Sequence, residues 1–265
     1  MKGLINRIYD YLFKENRGGK EWNYEDKLVK RKILQTRNTG VPTDLLDPIE
    51  VRYYEMLINQ VKDLVGRSSF SEMKIAEFGS GTSILSIRMA KEGGIVDLVD
   101  ILPSCLEYAK MIVNYFRGKG NFLGKVNYIN KDFTKLNCKG VYDLVHNEGV
   151  VEHFDDEVIV KMIQKMAYCT KKGGSVVVGV PNFFSPDMIN IWRVNKKGDE
   201  HFIDKADLMK FLKRAGLVNI CVETSTFFYP SFIPQSFVMH SVWLEYFLGK
   251  TCGLGFLVIG KGTKA

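Results

Sequence analysis

Residues 74–83, Lys-Ile-Ala-Glu-Phe-Gly-Ser-Gly-Thr-Ser, decide the fold. Residues 74–78 form a short apolar run bounded by turn residues, the mark of a buried strand. Gly79 and Gly81 break that run, and apolar residues at helical spacing resume over 83–91. Glycine in such a turn lets the backbone take positive φ and approach a ligand closely, while the helix that follows offers unpaired amides. Strand, glycine turn and helix in that order open a parallel α/β sheet.

The same alternation continues outward. Segments 95–99, 125–130, 142–146, 175–180, 218–223 and 256–259 read as six further strands, and 103–116, 156–169 and 205–215 as the intervening helices. Pro103 suits a first helical turn, Asp204 an N-cap and Gly216 a helix stop, while Lys171 and Lys172 before Gly173-Gly174 read as the close of the third helix. Ahead of the sheet, Leu4, Ile5, Ile8, Tyr9, Leu12 and Phe13 form an amphipathic stripe, and a second helix is expected within 43–66. The expected organisation is an N-terminal helical extension or lid over 1–70 and one α/β domain over 71–265, with lid segments at 182–200 and 224–248.

A hydrophobic fraction of 46% and a charged fraction of 25% are those of an ordinary globular chain. Residues 1–40 carry ten Lys/Arg against five Asp/Glu, so +5 of the formal +7 sits in the first sixth of the chain. That bias reads first as a solvated helix face and leaves peripheral membrane contact open. Five cysteines without a Cys-x-x-Cys pair argue against a disulfide framework or a zinc site and for a reducing compartment. With no sustained apolar leader, the protein reads as cytoplasmic. Residues 224–244 lack Asp, Glu, Lys and Arg, but Pro230, Pro234 and four serines break the stretch, so no transmembrane segment is expected.

Three strand ends carry the chemistry. Glu77, Gly79, Ser80 and Gly81 form the first turn. Asp100, followed by Ile101, ends the second strand 21 positions after Gly79, where an acid suits a ribose diol. Asp132 and Phe133 follow the third strand, where a carboxylate and a ring suit a purine. All lie at C-terminal strand ends, where open parallel sheets bind ligands. A dinucleotide fingerprint would need a third glycine at 84, and residue 84 is Ile.

With the pieces AEFGSGTS, VDLVDILPSCLEYAK, NKDFTKL, YDLVHNEGVVEHF and KKGGSVVVGVPN in this order, residues 70–225 resemble the class I, Rossmann-like methyltransferases, particularly the small-molecule group that includes ubiquinone/menaquinone-type enzymes. The resemblance implies a seven-stranded sheet with its last strand antiparallel, and S-adenosyl-L-methionine as cofactor, leaving as S-adenosyl-L-homocysteine. It implies that Glu77, Gly79 and Gly81, with Ser80 in the same loop, border the methionine part. Asp100 would take the ribose, with Ile101 beside it, and Asp132 and Phe133 the adenine. Asn147 and Glu148 would lie near the reacting methyl. The family often has a third glycine where this chain has Ser83.

His153 and His201 are the candidate general bases, since neutral imidazole accepts a proton near physiological pH. No metal-ligand cluster is visible, so no metal is expected. Phe183, Phe184, Trp192, Phe227, Phe228, Tyr229, Phe232, Phe237, Trp243, Tyr246 and Phe247 in the lid segments point to a small organic acceptor with an apolar or aromatic portion; packing of the lid or a homodimer contact is the other use for them. A catalytically silent cofactor-binding regulatory protein and a nucleic-acid methyltransferase stay open as alternatives. No nucleic-acid partner is expected, because His146-Asn147-Glu148-Gly149 departs from the Asn/Asp-Pro-Pro-aromatic pattern of base-amino methyltransferases.

Overall fold

The computed structural model describes residues 21–120, 122–186, 188, 201–227, 244 and 246–265. Seven strands, β1 (Lys74–Phe78), β2 (Ile95–Asp100), β3 (Lys125–Asn130), β4 (Tyr142–Glu148), β5 (Thr170–Pro181), β6 (Leu217–Thr224) and β7 (Leu257–Lys264), form one sheet in the order β3-β2-β1-β4-β5-β7-β6. Strands β1 to β5 are parallel, and β7 runs antiparallel between β5 and β6. The expected α/β sheet with an antiparallel last strand is therefore present.

Side-chain alternation along each strand divides the interior in two. Ile75, Val96, Leu98, Leu144, Val177 and Ile259 join a core under α2 (Pro48–Val65), α3 (Ile84–Lys91) and α4 (Pro103–Gly118). Ala76, Phe78, Val145, Val176, Val178 and Val258 face the opposite core with α5 (Asp156–Cys169) and α6 (Lys205–Arg214). The helix ends follow local chemistry. Pro103 stands in the first turn of α4, and Asp204 with Asp207 makes a reciprocal capping box on α6. Asp47 caps α2 by accepting from the Ile49 amide.

Helix α1 (Glu21–Thr39) was not legible in the sequence. Its buried positions, Val29, Ile33 and Thr36, follow helical spacing inside a run of charges too dense for a continuous apolar stripe. Three further expectations change. Lys171 to Gly174 belong to β5 rather than to a helix end, because Thr170 already pairs with Tyr142 before a register shift brings Leu144 opposite Ser175. The helix expected from Ser83 starts at Ile84, with Ser83 as its cap. Cys138 and Cys169 form a disulfide across 31 positions. The loop before β4 is fastened to the end of α5 by Gly140 N–H to Tyr168 O (3.0 Å) and Val141 N–H to Cys169 O (2.8 Å), which sets the two cysteines side by side. The stripe of residues 4–13 lies outside the described residues, as do lid residues 189–200 and 228–243 with Trp192, Phe228, Tyr229, Phe232, Phe237, His240 and Trp243. Among the described residues no helix is long and apolar enough to cross a membrane.

Candidate functional site

Where β1 ends, Gly79 at φ +71° turns the chain and its amide, with that of Ser80, donates to Val99 O (2.9 and 3.2 Å). A Cβ at Gly79 would come within 2.7 Å of Val150 Cγ2, so only glycine fits beneath the β4 loop. Gly81 N–H donates to Asp100 Oδ2 (2.9 Å), and Leu102 N–H to Asp100 Oδ1 (2.8 Å). One carboxylate thus joins the β1 and β2 turns. Ser83 sits at φ +59°, in the left-handed region that favours glycine, and its hydroxyl donates to Ser80 O (3.0 Å).

The next layer is acidic. Glu77, on the same face as Ile75, is buried; it hydrogen-bonds Ser86, and its Oε2 has no partner among the described residues. Burial, then the nearby Glu148 carboxylate, holds its pKa well above the usual carboxylate range. The Ser86 hydroxyl lies 2.8 Å from Nε2 of His146, which burial pushes down to about 4 and so keeps neutral. Glu148, at the tip of β4, accepts a hydrogen bond from the Tyr53 hydroxyl, and burial pushes its carboxyl up to about 7 against that bond. Asn147, on the opposite face, is buried with both amide atoms unpartnered among the described residues. Burial also raises Asp100, opposed by the amides that it accepts from.

Helices α1 and α2 close over these tips. Asp44, in a short turn between them, accepts from the Tyr108 hydroxyl (2.6 Å) and pairs with Lys32. Glu50, in the first turn of α2, is pushed up to about 8 by burial and by its hydrogen bond to Asp44. Glu25 of α1 is raised by burial, with Asp100 and Asp44 among its charged neighbours and His153 also within electrostatic reach. Asp26 accepts from Ser104 Oγ (2.6 Å) and so ties α1 to the start of α4. Tyr54 hydrogen-bonds Thr82 of the glycine loop.

The remaining expected residues are distributed around this centre. Ile101 is exposed beyond Asp100. Asp132 caps the short turn Phe133–Lys135, accepting from Thr134 N–H (2.9 Å) and Oγ1 (2.6 Å); the Thr134 hydroxyl bond leads the influences that lower its pKa. Phe133 is buried and stacked on Phe78, 5.0 Å between ring centres, so its face is committed to the core. His153 ends the short helical turn Val151–His153. His201 joins the same loop through its amide to Glu152 O (2.6 Å), with its Nε2 3.8 Å from Asp155 Oδ1. Phe183 is buried against Phe202, Phe184 is exposed, and Tyr246 and Phe247 are exposed. Sequence reading missed Tyr53, Glu50, Glu25 and Ser86 as members of the site, because nothing in a helix marks which turn will lie over a strand tip.

A separate open cleft of about 570 Å³, lined by Glu55, Ile58, Asn59, Arg88, Lys91, Glu92 and Leu123, lies toward the N-terminal strand edge. It contains none of the strand-tip groups. Among the described residues no His, Cys, Asp and Glu group could hold a metal.

A family profile described as a methyltransferase domain matches residues 75–174, from β1 into β5. The ubiquinone biosynthesis O-methyltransferase of Vibrio parahaemolyticus is 25% identical over 189 residues, covering 68% of this chain and 74% of that protein. Two structures of magnesium protoporphyrin IX methyltransferase from Synechocystis PCC 6803 share the fold. The one with bound S-adenosylhomocysteine has a TM-score of 0.55 at 20% identity, over 82% of this chain and 85% of that one. The one with bound S-adenosylmethionine has a TM-score of 0.55 at 16% identity, over 91% and 97%. The chain carries a methyltransferase domain of the class I, S-adenosylmethionine-dependent kind.

Proposed function

We propose that the tips of β1 to β4 hold S-adenosylmethionine and that the chain passes its methyl group to a small organic acceptor with an apolar or aromatic portion. The observation that carries this reading is the Gly81–Asp100 hydrogen bond, which fixes the glycine turn and the ribose-suited acid as one unit beside a buried, half-partnered Glu77. The groups fit the donor. Glu77 Oε2 suits an ammonium, the cramped Gly79 turn admits close backbone approach, and the unpartnered Asn147 amide offers both a donor and an acceptor. Asp100 would accept from the ribose hydroxyls with the lone pairs that its two amides leave free. Ile101 would wall the base, with Asp132 and the edge of Phe133 beyond it.

Bound there, the sulfonium supplies an electrophilic methyl for in-line displacement. The protein's part is orientation, worth about 7–11 kcal/mol in well-aligned systems, and exclusion of water by α1 and α2 acting as a cap from the 1–70 segment. His153 and His201, joined through the Glu152 loop, are the residues to test for proton acceptance once an acceptor is known. The rings of Tyr53, Tyr54, Phe227 and Phe256 supply the apolar wall on the acceptor side.

Calorimetry with S-adenosylhomocysteine tests the donor site. Gly81→Val and Asp100→Ala are expected to weaken binding at least tenfold while keeping the parent's circular dichroism. Parental affinity in both folded variants overturns the assignment.

A further inference from the structure

The carboxylate of Glu77 is held from behind by two side chains that carry no charge. Glu77 and His146 are register partners on the neighbouring strands β1 and β4, so their side chains leave the sheet on the same face, the one that α3 covers. Ser86, in the first turn of α3, meets both: its Oγ lies 2.8 Å from His146 Nε2, and it hydrogen-bonds the Glu77 carboxylate. All three residues are buried, Ser86 completely. A serine between the buried Leu85 and Ile87 is a weaker helix former than alanine and brings a hydroxyl into an apolar face. Its bonds to His146 and Glu77 offset that cost.

We infer that Ser86 and His146 are positioning residues for the methyl donor: together they fix one oxygen of Glu77 and leave the other, Oε2, for the ammonium of the donor's methionine part. The inference rests on the donor-site reading above and deepens it. A serine hydroxyl has one proton to give. When the neutral His146 carries its proton on Nε2, that N–H donates to Ser86 Oγ, the serine proton goes to Glu77, and the carboxylate is an anion. With the proton on Nδ1 the chain runs the other way. Ser86 then donates to Nε2, and Glu77 must hold a proton itself to stay bonded, which removes the charge that an ammonium needs. Donor binding therefore selects the Nε2–H form, and an ammonium at Oε2 offsets the burial that favours the neutral acid. The charges that act on Glu77 are those of Glu148 and Asp100. A hydroxyl and a neutral imidazole thus restrain the carboxylate without a cation that would compete with the ligand for it.

The test uses the full chain with S-adenosylhomocysteine and its deamino analogue, in which hydrogen replaces the amino group, each titrated by calorimetry. The parent is expected to bind S-adenosylhomocysteine about tenfold or more tightly than the analogue. Ser86→Ala should cut that preference about fivefold with affinity for the analogue unchanged, a split that a general loosening of the fold does not produce. His146→Leu should act in the same direction, and His146→Gln, whose amide reaches as far as Nε2, should restore the preference. Nitrogen NMR of the isotope-labelled parent saturated with S-adenosylhomocysteine should show His146 neutral and protonated at Nε2; where the variants fail to fold, this measurement decides. A folded Ser86→Ala chain with the full parental preference, or an Nδ1-protonated imidazole in the complex, overturns the inference while leaving the donor site standing, as does a parent that binds both ligands equally. A parent that does not bind S-adenosylhomocysteine defeats the donor-site reading, and the inference with it.

Discussion

At the scale of single residues, the glycine loop holds two positions that look alike in sequence and differ in physics. Gly79 combines positive φ with the 2.7 Å approach of Val150. Gly79→Ala should therefore cost about 1–3 kcal/mol, from backbone strain and crowding together, and adding Val150→Ala should recover only the crowding part. Ser83 bears positive φ without glycine, at a cost of about 1–2 kcal/mol for an L residue that its hydroxyl bond to Ser80 O partly offsets. Ser83→Gly is expected to be near neutral, and Ser83→Val to lose about 2 kcal/mol or more, because a β-branched residue resists that region. Urea denaturation checks both; a Ser83→Val chain as stable as the parent would show the strain to be absent. The glycine loop, Asp100 and the β4 tip were all legible because their residue types are demanded by backbone geometry or by ligand chemistry. The Phe133 ring was legible as an aromatic, but its stacking on Phe78 was not, since that depends on β1 lying beside the turn after β3.

At the scale of elements, α2 illustrates how a helix acquires a site. Its stripe of Leu57, Ile58 and Val61 secures it to the core, and its first two turns carry Glu50, Tyr53 and Tyr54 over the strand tips. Folding raises Glu50 to about 8 from an ordinary 4.5. The folded state then binds the proton more tightly than the unfolded chain, so this group's contribution to stability is fully present below about pH 4.5 and is lost as pH rises toward 8. Asp44, Asp47 and Lys32 are the charged groups that act on it. Glu50→Gln should match the parent near pH 4.5 and exceed it in melting temperature increasingly up to pH 8.5. A constant difference across that range would place Glu50 in contact with water. Helix α5 makes the converse point: its bounds were readable to the residue from periodicity alone, yet its disulfide was not, because Cys138 reaches Cys169 only after the loop before β4 has been fastened to the helix end.

At the scale of the whole molecule, the strand order places β1 between β2 and β4, so the chain leaves the sheet centre in opposite directions, and the β1/β4 tips are the switch point at which open parallel sheets take ligands. The two cores lie on opposite faces of the sheet, and a ligand bound across the strand tips of the folded state would be linked to global stability. S-adenosylhomocysteine at a hundred times its dissociation constant should stabilise the fold by about 2.7 kcal/mol, read as a rise in melting temperature that saturates logarithmically and is reduced in Asp100→Ala. A melting temperature indifferent to the ligand would count against a site built across the sheet.

By itself the sequence determined the period of each strand and helix, the turns that only glycine can make, and the acids at the strand ends, since these follow from local backbone sterics and from apolar spacing along a few residues. The tertiary structure alone decided which helix lies over the tips, that Tyr53 meets Glu148 across 95 positions, that Glu25 reaches toward Asp100, and that a group of carboxylates shares one poorly hydrated space. Those outcomes depend on packing between segments distant in the chain, where burial and mutual charge, rather than residue type, set what each side chain can do.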